Sequence, residues 1–136
     1  MHRDEIVENV RRELDGHEEI AFAYVHGSAL ALPNPRDVDV AVFLRHEVHA
    51  ILASEGRVTM DFAIPLELAL EAKLGMKADV QVINAAPLTF RARVVNTGVA
   101  IVDRMPDARA EFEYLSRYEY FDFRPRRREY LSGVVA

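Results

Sequence analysis

HGSALALPNPRDVDVAVFL, from His26 to Leu44, is the stretch whose reading decides the fold. A Gly-Ser pair closes an apolar run, a loop with two prolines follows, and the chain resumes with two aspartates one residue apart. After Asp39 come Val40, Ala41, Val42, Phe43 and Leu44, the composition of a strand covered on both faces. Unpaired carboxylates are expensive in such a strand. Side chains at i and i+2 share a face, so Asp37 and Asp39 stand together at one end of the sheet. At about 4 Å two such charges repel by roughly 4 kcal/mol at an effective dielectric near 20. Protonation, a basic partner or a divalent cation relieves that repulsion. Protonation forfeits the use of having two carboxylates, whereas a hard cation such as Mg²⁺ takes one or two of them and fills its shell with water and substrate phosphate.

Working outward, the hydrophobic period alternates between helix and strand. Ile6, Val7, Val10 and Leu14 lie on one helical face, with Gly16 as the stop, which predicts a first helix over Arg3 to Asp15. IAFAYV, Ile20 to Val25, reads as a buried strand running into the His26-Gly27-Ser28 turn. The PNP segment at 33–35 marks a loop, and DVDVAVFL is the second strand. Residues 46–74 read as helical, interrupted near Gly56 and entered again through Pro65, with Leu66, Leu70 and Leu74 on one side and Gly75 as stop. ADVQVI is a third strand, a helix carrying Val94 and Val95 follows Pro87, and VAIV at 99–102 is a fourth strand. A last helix begins at Pro106, with Phe112, Leu115 and Tyr118 or Glu119 on its inner face, and the basic RPRRR of 124–128 follows it. This order predicts an α/β fold: a small mixed sheet with helices packed around it, as one domain over 1–136 with a helical tail from about 106.

ADVQVI repeats the pattern of one acidic residue opening an apolar strand, which makes Asp79 the candidate third carboxylate. Glycine after a buried strand lets the backbone approach a ligand, so Gly27 and Ser28 are the candidate holders of a phosphate tail.

Composition narrows the class. The chain has 136 residues, half of them hydrophobic, enough for one core without crosslinks. It has no cysteine, which excludes disulfides and thiolate metal sites. With 22 acidic and 17 basic residues its net charge is −5, a poor field for duplex DNA. The N-terminus is too charged for a signal peptide and no apolar run is long enough to span a membrane, so the expectation is a soluble cytoplasmic protein that binds neither DNA nor membrane.

Gly-Ser, a spacer, Asp-x-Asp and a third acidic residue on a later strand resemble the minimal nucleotidyltransferases, a branch of the polymerase-β-like superfamily. The resemblance is strongest between Val25 and Phe43 and extends from the first helix through KADVQVINAAP to the last helix. It implies the polymerase-β-like palm fold, two Mg²⁺ ions on Asp37 and Asp39, a role for Asp79 in metal binding and in activating the nucleophile, and contact of Gly27 and Ser28 with a nucleotide triphosphate. The spacer of eight residues between Ser28 and Asp37 is shorter than the family's common one, and Leu32 replaces a second glycine. Members of this size resemble the antitoxin half of HEPN/MNT toxin-antitoxin pairs. That resemblance implies ATP as substrate, an all-helical HEPN ribonuclease as partner, and transfer of AMP onto a tyrosine of that toxin. Two other readings stay open: a non-catalytic antitoxin or binding module that acts by contact, and nucleotidyl transfer to a small molecule.

The remaining features have plainer readings. His26 is a strand residue at the cleft rim, and Ser28 by itself caps a short helix. HEVH at 46–49 lacks the H-E-x-x-H zinc spacing and reads as a solvated helix. RPRRR with Tyr118, Tyr120, Phe121, Phe123 and Tyr130 reads as a partner-docking surface in preference to a nucleic-acid patch.

Overall fold

The computed structural model describes the backbone of residues 1–132 and the side chains of residues 1–119. Helix α1 spans Arg3–Asp15 and ends where the Gly16 N–H donates to the Glu13 carbonyl and the His17 N–H to that of Leu14. Its Ile6, Val10 and Leu14 are fully buried. Strand β1, Ile20–His26, is buried along its whole length, as a central strand must be. A short helix α2, Ser28–Ala31, fills the space before the proline loop, and β2 covers Asp37–Leu44. Helix α3 runs His46–Ser54, a π-helical stretch covers Thr59–Ala63, and α4 continues over Ile64–Leu74. Strand β3 is Lys77–Val82, α5 is Leu88–Thr97, β4 is Val99–Asp103 and α6 is Pro106–Ser132.

Two elements differ from the sequence expectation. The second helical entry lies before Pro65, at Thr59, because the wider π turn accommodates a residue that has no N–H to donate. On α6, Phe112 and Ser116 face inward while Leu115 and Tyr118 are exposed, so the inner face follows a different line around the helix. The α6 backbone also continues through 124–128, where the sequence reads as a segment beyond the helix. The side chains of RPRRR, Tyr120, Phe121, Phe123 and Tyr130 lie outside the described residues.

Among the described residues the strands form one mixed sheet in the order β3-β2-β1-β4. β1 is antiparallel to β2 and β4, and β2 is parallel to β3. Alternation of side chains then divides the molecule. Ala23 and Val25 of β1, Val38, Val40 and Val42 of β2, and Ala78 and Val80 of β3 join the core with α1 and α4. The opposite face carries a gradient. At one end Phe22 stacks on Phe43, with ring centroids 4.5 Å apart, and Phe112 of α6 closes over both. Tyr24, Ala41 and Gln81 occupy the middle, and at the other end stand His26, Asp39 and Asp79. No helix of the described residues is long and apolar enough to cross a membrane.

The polar end of the sheet as candidate active site

Strand pairing assembles this end. Asp39 lies opposite His26 in the antiparallel register with β1 and opposite Asp79 in the parallel register with β3. Asp37, two residues earlier on the same face, lies opposite Lys77. Asp37 and Asp79 are exposed and Asp39 is half-buried, so the cost of burying the acidic start of β2 is avoided by leaving it at the open edge. Asp37, Asp39, Lys77 and Asp79 line one cavity of about 260 Å³. It adjoins a second of about 460 Å³, walled by His26, Gly27, Asp39, Asp79 and Gln81 from the sheet side and by Phe90, Arg93 and Thr97 of α5.

Gly27 sits in the left-handed region at φ 78°, and a Cβ there would lie 2.5 Å from Asp39 Oδ2. Only glycine lets the turn pass this close to the carboxylate. Ser28 Oγ donates to Asp37 Oδ1 at 2.9 Å, tying the turn to the first residue of β2. Gln81 Nε2 donates to Asp79 Oδ2 and lies 3.5 Å from Asp39 Oδ1. Among the described residues none of the three aspartates forms an ion pair, so these neutral donors are what offsets their mutual repulsion.

The five residues singled out by sequence, Gly27, Ser28, Asp37, Asp39 and Asp79, therefore meet at one edge. Sequence reasoning missed Gln81, Phe90, Arg93 and Thr97. Gln81 had a signal, since it is the next same-face residue after Asp79. The α5 residues recur at i, i+3 and i+7, but only packing decides which helical face overlooks the cleft. His46 and His49 lie elsewhere, on α3. His46 lines a cavity of about 330 Å³ at the far end of β2, with Phe43, Met105 and Phe112 among its walls.

A family model of polymerase-beta nucleotidyltransferases matches residues 8–107, which holds every one of these groups. The chain belongs to that family. No curated protein sequence shows significant similarity to this nucleotidyltransferase. Its fold is similar to a chain of the tri-AMPylated Shewanella oneidensis HEPN toxin in complex with MNT antitoxin, at TM-score 0.70 and 18% identity, covering 98% of this chain and 99% of that one. A toxin-antitoxin structure with AMP-PNP matches at TM-score 0.69 and 18% identity, over 96% and 98% of the two chains. The toxin-antitoxin pair MntA-HepT matches at TM-score 0.66 and 15% identity, over 98% and 99%. At such identities the likeness establishes a shared fold across nearly the whole length.

The donor set suits a hard divalent cation: it is all oxygen, at least two carboxylates face one cavity, and Gly27 keeps the approach clear. Among the described residues no group of three or more His, Asp or Glu side chains stands close enough together to hold a metal ion by itself. A cation of the Mg²⁺ type does not require one, because water and phosphate oxygens complete its shell.

Proposed function

We propose that this chain transfers AMP from ATP to a tyrosine of a cognate HEPN ribonuclease toxin and thereby acts as its antitoxin. The observation that carries the reading is the meeting of Asp37, Asp39 and Asp79 beside Gly27 and Ser28 in a member of the nucleotidyltransferase family. Support for the acceptor comes from the fold shared with chains of toxin-antitoxin complexes, one with an AMPylated toxin and one with an ATP analogue.

Asp37 and Asp39 would hold two Mg²⁺ ions, with Asp79 completing the set. When bound, the ions neutralise charge developing on the attacking and leaving oxygens. Gly27 leaves room for the triphosphate, and Ser28 keeps Asp37 aimed at the cavity. The tyrosine oxygen bonds to the α-phosphorus, the bond to the bridging oxygen breaks, and pyrophosphate leaves. In this reading Asp79 would accept the phenolic proton. Phe90, Arg93 and Thr97 form the wall against which nucleotide or acceptor is laid.

The test is to incubate the chain with ATP, Mg²⁺ and the product of the gene neighbouring its own, and to read adducts on that product by peptide mass spectrometry. AMP on a partner tyrosine, absent with Asp37→Ala, is the expected result. An unmodified partner with the native chain would contradict the proposal.

One observation favours the contact reading. Met60, Ile64 and Leu68 recur every fourth residue along one helical run and are exposed, a stripe suited to a protein partner. Suppression of the partner by Asp37→Ala and Asp39→Ala chains as strong as by the native chain would favour it.

A further inference from the structure

Gln81 occupies a position that the three-carboxylate reading leaves without a role. Its amide lies between two carboxylates and a ring. Nε2 donates to Asp79 Oδ2, with Asp39 Oδ1 at 3.5 Å, while Oε1 lies 2.9 Å from His26 Nε2. The opposite amide orientation would press Oε1 against two carboxylate oxygens. An amide oxygen only accepts, so His26 carries its proton on Nε2. His26 is itself immobilised: it is 6% exposed and meets Phe90 edge-on, with ring centroids 5.7 Å apart.

We propose that Gln81, oriented by His26, is a positioning residue that presets Asp79 as a cation ligand. The amide takes one oxygen of Asp79 and, among the described residues, leaves Oδ1 without a hydrogen-bond partner. A carboxylate pinned at one oxygen and open at the other meets a cation without losing rotamer freedom. The chain of contacts runs from the α5 wall through Phe90, His26 and Gln81 to Asp79, so packing of that helix fixes ligand geometry. Outer partners of this kind typically change metal affinity by about 10–100-fold when removed. The inference rests on the cation-site reading given under Proposed function.

The experiment is titration of the full chain with Mn²⁺, following the electron paramagnetic resonance signal of the free ion, with AMP-PNP present. Thermal melts confirm that each variant folds. Gln81→Met, which keeps the volume and removes the donor, is expected to weaken Mn²⁺ binding by about tenfold. Gln81→Ala, a second variant in case Met packs badly, does the same. His26→Ala weakens binding by a smaller factor, and the double variant is no weaker than Gln81→Met alone, because both act through one contact. Gln81→Met binding within about twofold of native, while Asp79→Ala weakens it, would overturn the positioning role and leave the cation site standing. Equal binding by Asp79→Ala would overturn Asp79 as a ligand and the positioning role with it, and no Mn²⁺ binding by the native chain would overturn the cation site as well.

Discussion

Asp39 and Asp79 stand directly opposite each other in the parallel register of β2 and β3, at the edge where neither has an ion-pair partner among the described residues. Two unneutralised carboxylates in that arrangement repel each other, and the fold tolerates the repulsion at a site where charge is useful.

Asp39→Asn separates use from stability. Transfer is expected to fall by about 10²–10³-fold, the usual loss when a charged group serving the transition state is removed. The cation-free chain should be unharmed or stabilised by up to about 1 kcal/mol, because a repulsive pair is gone. Labelled-adenylate transfer and thermal melting measure the two quantities. A large drop in melting temperature would show that Asp39 serves the fold.

Gly27→Ala is expected to cost both. Alanine at φ 78° is strained by about 1–3 kcal/mol, and its methyl group would displace the Asp39 carboxylate. Urea unfolding should register the loss, and transfer should fall even where the variant remains folded. Activity equal to native would mean that this turn does not shape the site.

Asn84 offers a control remote from the carboxylates. Its amide nitrogen donates to the carbonyl of Leu44 and its oxygen accepts from the Leu44 N–H, each at 2.9 Å, closing the end of β2. Asn84→Ala orphans both backbone groups and should cost about 2 kcal/mol, read by urea unfolding. Adenylate transfer below the melting temperature should stay near native.

Tyr24 predicts a pH dependence. Its hydroxyl donates to Glu113 Oε1 at 2.8 Å, and Arg109 holds the same oxygen at 2.8 Å. Burial first, and then the bond to Glu113, push the phenol above its ordinary value. The unfolded chain releases this proton near pH 10 and the folded chain keeps it longer, so the contribution is whole below about pH 10 and falls as pH rises past it. Tyr24→Phe should cost about 1 kcal/mol at neutral pH and flatten the alkaline decline in unfolding free energy. Equal slopes for the two proteins would contradict this.

The sequence carried much of this architecture because its strongest signals are local. IAFAYV and DVDVAVFL have no helical period, and Gly16 and Gly75 stop helices whose buried faces repeat every fourth residue. Asp37 and Asp39 were legible as a pair because strand alternation is rigid. Asp79 needed a further step, that β3 lies beside β2, which no local pattern of ADVQVI fixes and the parallel register displays. The cleft wall was not legible: Phe90, Arg93 and Thr97 become site residues only through the rotation of α5 against the sheet. Ser116 on the inner face of α6 escaped for the same kind of reason, since a polar residue at 0% exposure contradicts the hydrophobic period. The partnership of His26 with Gln81 spans 55 residues and two strands, beyond the reach of any local pattern.

The most direct measurement is anomalous diffraction from Mn²⁺ in crystals of the chain grown with AMP-PNP. The expected result is anomalous density bonded to carboxylate oxygens of Asp37 and Asp39, with Asp79 at its edge and the phosphates over Gly27. Bound nucleotide with the metal at any other place, and these carboxylates facing only water, would contradict the account.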